Sequence, residues 1–99
     1  MKTYQGDRTL DGISVTVDGV PLDPRTDIKT FSANGFEWSY EGPEPSQLSL
    51  ALLADHLGDD SAALSHCEAF MKAVVANFNN EWEMTSEDID LALKNIGQA

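Results

Sequence analysis

His56, His66 and Cys67 are the side chains here with the widest chemical repertoire, and Asp55, Asp59 and Asp60 lie close to them in sequence. A zinc site needs three or four such ligands converging at about 2.0–2.3 Å. The run Asp55-His56-Leu57-Gly58-Asp59-Asp60, followed by His66-Cys67, matches no metal-ligand spacing. Helix ends account for the same residues more simply: His56 falls near a helix C-terminus, and Asp59 and Asp60 fall at the next N-terminus. Calcium fares no better, because Asp-x-Asp-x-Asp-Gly is absent. Asp7, Asp11 and Asp18 beside Gly6, Gly12 and Gly19 read as turn chemistry. A nucleophilic Cys67 needs a lowered pKa and a base. It lies instead on an apolar helical stripe, and His66, one residue away, projects about 100° round the helix. No Gly-x-Ser-x-Gly elbow, phosphate loop or Gly-x-Gly-x-x-Gly is present. The residues therefore imply no cofactor, no metal and no catalytic constellation. A small metal-dependent or hydrolytic enzyme built on His56, His66 and nearby acids is the remote alternative.

The elements that position these residues divide near residue 45. Five of the seven glycines and all four prolines lie in the first part, and the composition afterwards turns helical. Ile13, Val15 and Val17 alternate with polar residues as a half-buried strand, and Asp18-Gly19 closes it with a turn. Val20-Pro21-Leu22 continues as an edge, since Pro21 has no N–H. Phe36, Trp38 and Tyr40 alternate with Glu37 and Ser39, which predicts a further strand with an aromatic face. Tyr4 belongs to a third strand. Ser46 is the expected cap of a first helix, apolar on most sides through Leu48, Leu50–Ala54 and Leu57 and ended by Gly58. Such a helix must be central or covered by a partner.

A second helix opens at Asp59-Asp60-Ser61, with Leu64, Cys67, Met71, Val74, Val75 and Phe78 facing inward and Asn79-Asn80 ending it. A third opens at Thr85-Ser86-Glu87-Asp88, in the manner of a capping box with an acid at the third position. Its inner face is Ile89, Ala92, Leu93 and Ile96, and Gly97 ends it. Trp82 and Met84 are expected to close the core between the last two helices. The fold class is α+β: an antiparallel sheet of about three short strands packed on three C-terminal helices, forming one domain over residues 1–99.

Charge is the feature these elements leave unexplained. The 99 residues carry 17 Asp and Glu against 6 Lys and Arg, a formal net charge of −11. Residues 1–50 hold 8 acids and 4 bases, and residues 51–99 hold 9 acids and 2 bases. Such a chain has no basic footprint for nucleic acid or anionic membrane. Glu81-Trp82-Glu83-Met84-Thr85-Ser86-Glu87-Asp88-Ile89-Asp90 holds five acids in ten residues. Helix-end electrostatics covers Glu87, Asp88 and Asp90 and leaves Glu81 and Glu83. With Asp59 and Asp60 these seven are the candidate contacts for a basic partner, which an acidic surface attracts at high on-rate. The alternative is that the charge serves solubility alone. The single cysteine, the lack of an apolar leader and the longest apolar run of five residues, Leu50–Ala54, predict a cytoplasmic protein.

Several segments resemble a family of small uncharacterised domains from bacterial, phage and prophage genomes. They are Met1-Lys2-Thr3-Tyr4-Gln5-Gly6, Val15-Thr16-Val17-Asp18-Gly19-Val20-Pro21-Leu22-Asp23-Pro24-Arg25, Gly35-Phe36-Glu37-Trp38-Ser39-Tyr40, Gln47 through Asp60, and Trp82 through Asp90. The resemblance spans nearly the whole chain and transfers no activity. It implies a bacterial or mobile-element origin, a cytosolic setting and no cofactor. In that setting the expected partner is a basic, nucleic-acid-binding host defence protein, a CRISPR complex included, whose groove the acids occupy in place of phosphates. The alternative is a homodimeric assembly protein joined through the apolar first helix.

Overall fold

Alternation along the first strands sends Tyr4, Gly6, Val15 and Val17 to one side of a sheet and Gln5, Asp7, Ser14 and Thr16 to the other. The computed structural model describes residues 1–97. Its elements are β1 (Thr3–Thr9), β2 (Gly12–Val17), β3 (Val20–Pro21), α1 (Pro43–Leu57), α2 (Asp60–Ala73), a short 3₁₀ turn over Val75–Asn77, β4 (Glu81–Thr85) and α3 (Ser86–Gly97). The four strands form one antiparallel sheet in the order β3-β2-β1-β4; three strands precede the helices and the fourth lies between α2 and α3, so the chain is α+β.

Local chemistry explains the boundaries. Asp18 and Gly19 both take positive φ, 50° and 83°, the geometry of a type I′ turn. That turn pairs Val17 with Val20 and leaves the short β3, with Pro21, at one edge. The first helix begins three residues before the expected cap, Ser46. Gly42 precedes it, and Pro43 and Pro45 occupy the first turn, where a missing N–H costs nothing. Gly58 ends it in the left-handed region at φ 66°, donating its N–H to Ala54 O. Asp59 caps α2 by accepting the Ala62 N–H at 3.1 Å. The second helix is shorter than its sequence pattern: it stops at Ala73, and Asn77 Nδ2 donates back to Ala73 O at 3.0 Å. Leu64 is exposed, and Ala63 takes its place on the inner face. The third helix opens with the reciprocal box: Thr85 N–H donates to the Asp88 carboxylate at 2.9 Å and Asp88 N–H to Thr85 Oγ1 at 3.2 Å.

Two sequence expectations are corrected. Residues 36–40 form no strand. Ser39 sits at φ 78°, in the left-handed region, which breaks the alternation. Trp38 is fully buried, Phe36 half-buried and Tyr40 exposed, so the three rings share no face. The fourth strand instead comes from Glu81–Thr85, expected only to connect two helices. Trp82 and Met84 do enter the core, as members of β4.

The core lies between the sheet's inner face and the helices. Leu48, Leu50, Leu52 and Leu53 of α1 are fully buried, so α1 is enclosed within one chain. Of the two placements that an apolar helix allows, central or covered by a partner, α1 takes the central one. Gln47, also fully buried, accepts the N–H groups of Phe31 and Ser32 at 2.7 and 3.2 Å and donates to the carbonyls of Pro24 and Lys29 at 2.6 and 3.1 Å. One side chain thereby fastens the irregular segment 22–42 to α1. Trp82 stacks on Phe78 with ring centroids 4.3 Å apart and meets Trp38 edge-on at 5.8 Å. Its indole lies over Gly6, where a Cβ would overlap it, so Gly6 serves close approach within a strand and not a turn.

Candidate functional site

β1, β2 and β4 together turn Gln5, Asp7, Ser14, Thr16, Glu81 and Glu83 outward. These line a shallow depression of about 530 Å³ on the uncovered face of the sheet. Asp7 stands directly opposite Glu81 on β4, and Gln5 opposite Glu83. Gln5 Nε2 donates to Glu83 Oε1 at 2.8 Å. Asp7 and Glu81 have no side-chain hydrogen-bond partner among the described residues. Like charges facing each other across a ladder repel, so local sheet stability does not explain this placement.

The bases lie elsewhere. Lys2 pairs with Asp55 at 2.9 Å, and Arg25 with Asp27 and Asp60. Arg8 follows Asp7 in β1 but projects to the inner side, where it pairs with Glu37, donates to Trp38 O at 3.1 Å and lies over the Trp38 ring. Lys29 lies over the Phe31 ring, Lys72 pairs with Glu68 along α2, and Lys94 belongs to α3. No Lys or Arg side chain lines the depression.

The seven acids singled out from sequence are not gathered together. Asp59 caps α2, Asp60 binds Arg25, Asp88 closes the box at the start of α3, and Asp90 accepts from or pairs with His56 Nε2 at 2.6 Å. Each is held by a structural partner. Glu87 is exposed on α3. Glu81 and Glu83 alone of the seven reach the outer sheet face, and the acid that completes the group, Asp7, is one the sequence assigns to a turn. The signal that could have found it is the alternation of Glu81 and Glu83 with Trp82 and Met84, which marks a strand able to pair with β1.

The candidate catalytic groups stand apart. Cys67 is buried at 2% exposure and donates its thiol to Leu64 O at 3.3 Å. Burial pushes that thiol up, away from the reactive thiolate. His66 lies on the exposed side of α2, and His56 faces Asp90. Among the described residues no three His, Cys, Asp or Glu side chains are grouped to hold a metal ion.

The model of a family of unknown function, DUF6166, matches residues 4–95. The chain belongs to DUF6166. That match runs from the first core residue of β1, Tyr4, almost to the end of α3, so it takes in all of the sheet but Thr3, its outer face included. No curated protein and no solved structure shows a match to this DUF6166 chain. No described helix is long and apolar enough to cross a membrane.

Proposed function

We propose that the chain is a non-catalytic, acidic protein-binding domain whose outer sheet face occupies a basic surface of its partner. The observation that carries this reading is the face itself: Asp7, Glu81 and Glu83 on adjacent strands, with no base among the residues that line it. Acids spread merely for solubility would fall among bases and on helix ends, as Asp60 and Asp88 do. A surface that normally receives a polyanion supplies the complementary charge, so the partner class is a basic, nucleic-acid-binding protein, and binding blocks its nucleic-acid site. An inhibitor of host defence is one role that this would serve in a bacterial or phage setting.

The test compares Asp7→Asn/Glu81→Gln/Glu83→Gln with a control of equal charge change, Asp11→Asn/Glu41→Gln/Glu87→Gln, as baits in a bacterial lysate. At about 0.05 M salt the wild type and the control should recover a basic nucleic-acid-binding protein that the face variant does not. Short duplex DNA should displace it, and about 0.5 M salt should release it, because exposed charges are then screened within a few ångströms. A partner retained equally by the face variant would place the contact elsewhere.

A further inference from the structure

The acidic face ends at an open strand. β4 is the last strand of the sheet, paired with β1 on one side only. In an antiparallel ladder, main-chain groups point alternately toward and away from the neighbouring strand. Ser86 N–H donates to Lys2 O across the β1–β4 pair, which sets the parity: Trp82 and Met84 bond to β1, and Glu81, Glu83 and Thr85 point their N–H and C=O groups away from it. Thr85 N–H is taken by the Asp88 carboxylate. The main-chain N–H groups of Glu81 and Glu83 have no partner among the described residues, and both residues are exposed. The edge thus offers two N–H and two C=O groups in strand geometry, on the residues whose carboxylates lie on the acidic face.

We infer that the partner's contact segment adds to this sheet as an antiparallel fifth strand along β4, reading Lys or Arg at the two positions opposite Glu83 and Glu81 with an apolar residue between them. This rests on the reading of the outer face as a basic-protein site. Directly opposed side chains lie on the same face with Cβ atoms about 4.5–5.5 Å apart, so alternate basic residues meet the two carboxylates. The residue between them turns to the inner side, beside Trp82 and Met84. A second copy of this chain fits poorly, because β4 against β4 sets glutamates against glutamates, and edge strands use such charges to prevent self-pairing. The edge therefore selects a different, basic strand.

The probe is the capped peptide Val-Lys-Val-Lys-Val, titrated into the full chain with amide NMR and hydrogen exchange as readouts. Binding should slow exchange at the Glu81 and Glu83 amides. N-methylation of both lysine amides, which face β4, should weaken binding by about tenfold, whereas N-methylation of the central valine should be tolerated. Glu81→Gln/Glu83→Gln should weaken it by a similar factor at low salt. Equal affinity of the two methylated peptides, with the glutamine variant still impaired, would overturn strand addition and leave the acidic-face reading standing. Failure of the peptide to bind, or Glu81 and Glu83 amides already protected in the free protein, would also overturn strand addition, while the lysate comparison separately decides the acidic face.

Discussion

Tyr4 shows how a single side chain ties the sheet to the helices. It is fully buried, yet its hydroxyl reaches the Asp55 carboxylate of α1 and donates at 2.8 Å, beside the Lys2 ammonium on the same oxygen. Burial, then the Asp55 hydrogen bond and charge, push the phenol above its ordinary value. The folded protein therefore holds this proton more tightly than the unfolded chain, where tyrosine titrates near about 10. Its contribution to stability is complete below that pH and declines as pH rises above it. Tyr4→Phe should cost about 1.5–3 kcal/mol at pH 7, the range for a hydrogen bond to a charged group. Between about pH 9 and 11 the gap between wild type and variant should narrow in urea melts, because only the wild type has this phenol to ionise. Parallel curves across that range would mean that Tyr4 is not the group responsible. Cys67 belongs to the same scale but is kept out of chemistry: its thiol is buried, and that burial raises its pKa despite the opposing charge of Lys29.

At the scale of elements, the longest irregular stretch, residues 22–42, is organised by Gln47 of α1. Its amide meets two N–H groups and two carbonyls in full burial, so no single replacement serves all four. Gln47→Leu leaves those main-chain groups without partners, at about 1–3 kcal/mol for each unsatisfied group that water does not reach. Gln47→Glu keeps the acceptor but turns an oxygen toward the carbonyls of Pro24 and Lys29. Both variants should lower the melting temperature by about 15 °C or more, with amide exchange rising first at Phe31 and Ser32. A near-neutral Gln47→Leu would show that the segment is held by its apolar contacts instead. None of this is legible in the sequence, because a glutamine between Ser46 and Leu48 looks like an exposed helix residue; its partners are supplied by a loop that no period describes. The three helices, their caps at Asp59 and Thr85, the Gly58 terminator and the Asp18-Gly19 hairpin are legible, since each rests on chemistry within a few residues. Trp38 and Trp82 show where local reading runs out. Both follow period two, but Ser39 in the left-handed region breaks one pattern, while pairing with β1, more than seventy residues away, makes the other a strand. The candidate site depends on that second, long-range choice: alternation marks Glu81 and Glu83 as members of a strand, but only the pairing with β1 brings Asp7 to them.

For the whole molecule the question is how a net charge of −11 is arranged. Self-repulsion weakens any compact acidic chain. Here it is relieved unevenly: Asp55, Asp60 and Glu37 have cations beside them, whereas Asp7 faces Glu81 across the ladder with none. A binding face that waits for a basic partner must carry its repulsion in the free state, and its neutralisation should stabilise the domain even as it removes binding. Asp7→Asn/Glu81→Gln/Glu83→Gln should therefore melt above the wild type at about 0.02 M salt. The control Asp11→Asn/Glu41→Gln/Glu87→Gln, with the same change in net charge, should rise by less. Raising salt to about 0.5 M should lift the wild type toward the face variant, because the Debye length then falls to roughly 4 Å and exposed repulsion is screened. Equal gains in the two variants would show that only total charge matters and that the sheet face is not a concentrated source of strain. A larger gain for the face variant that vanishes in salt would locate the repulsion where the partner is proposed to dock, linking the cost in the free molecule to the free energy released on binding.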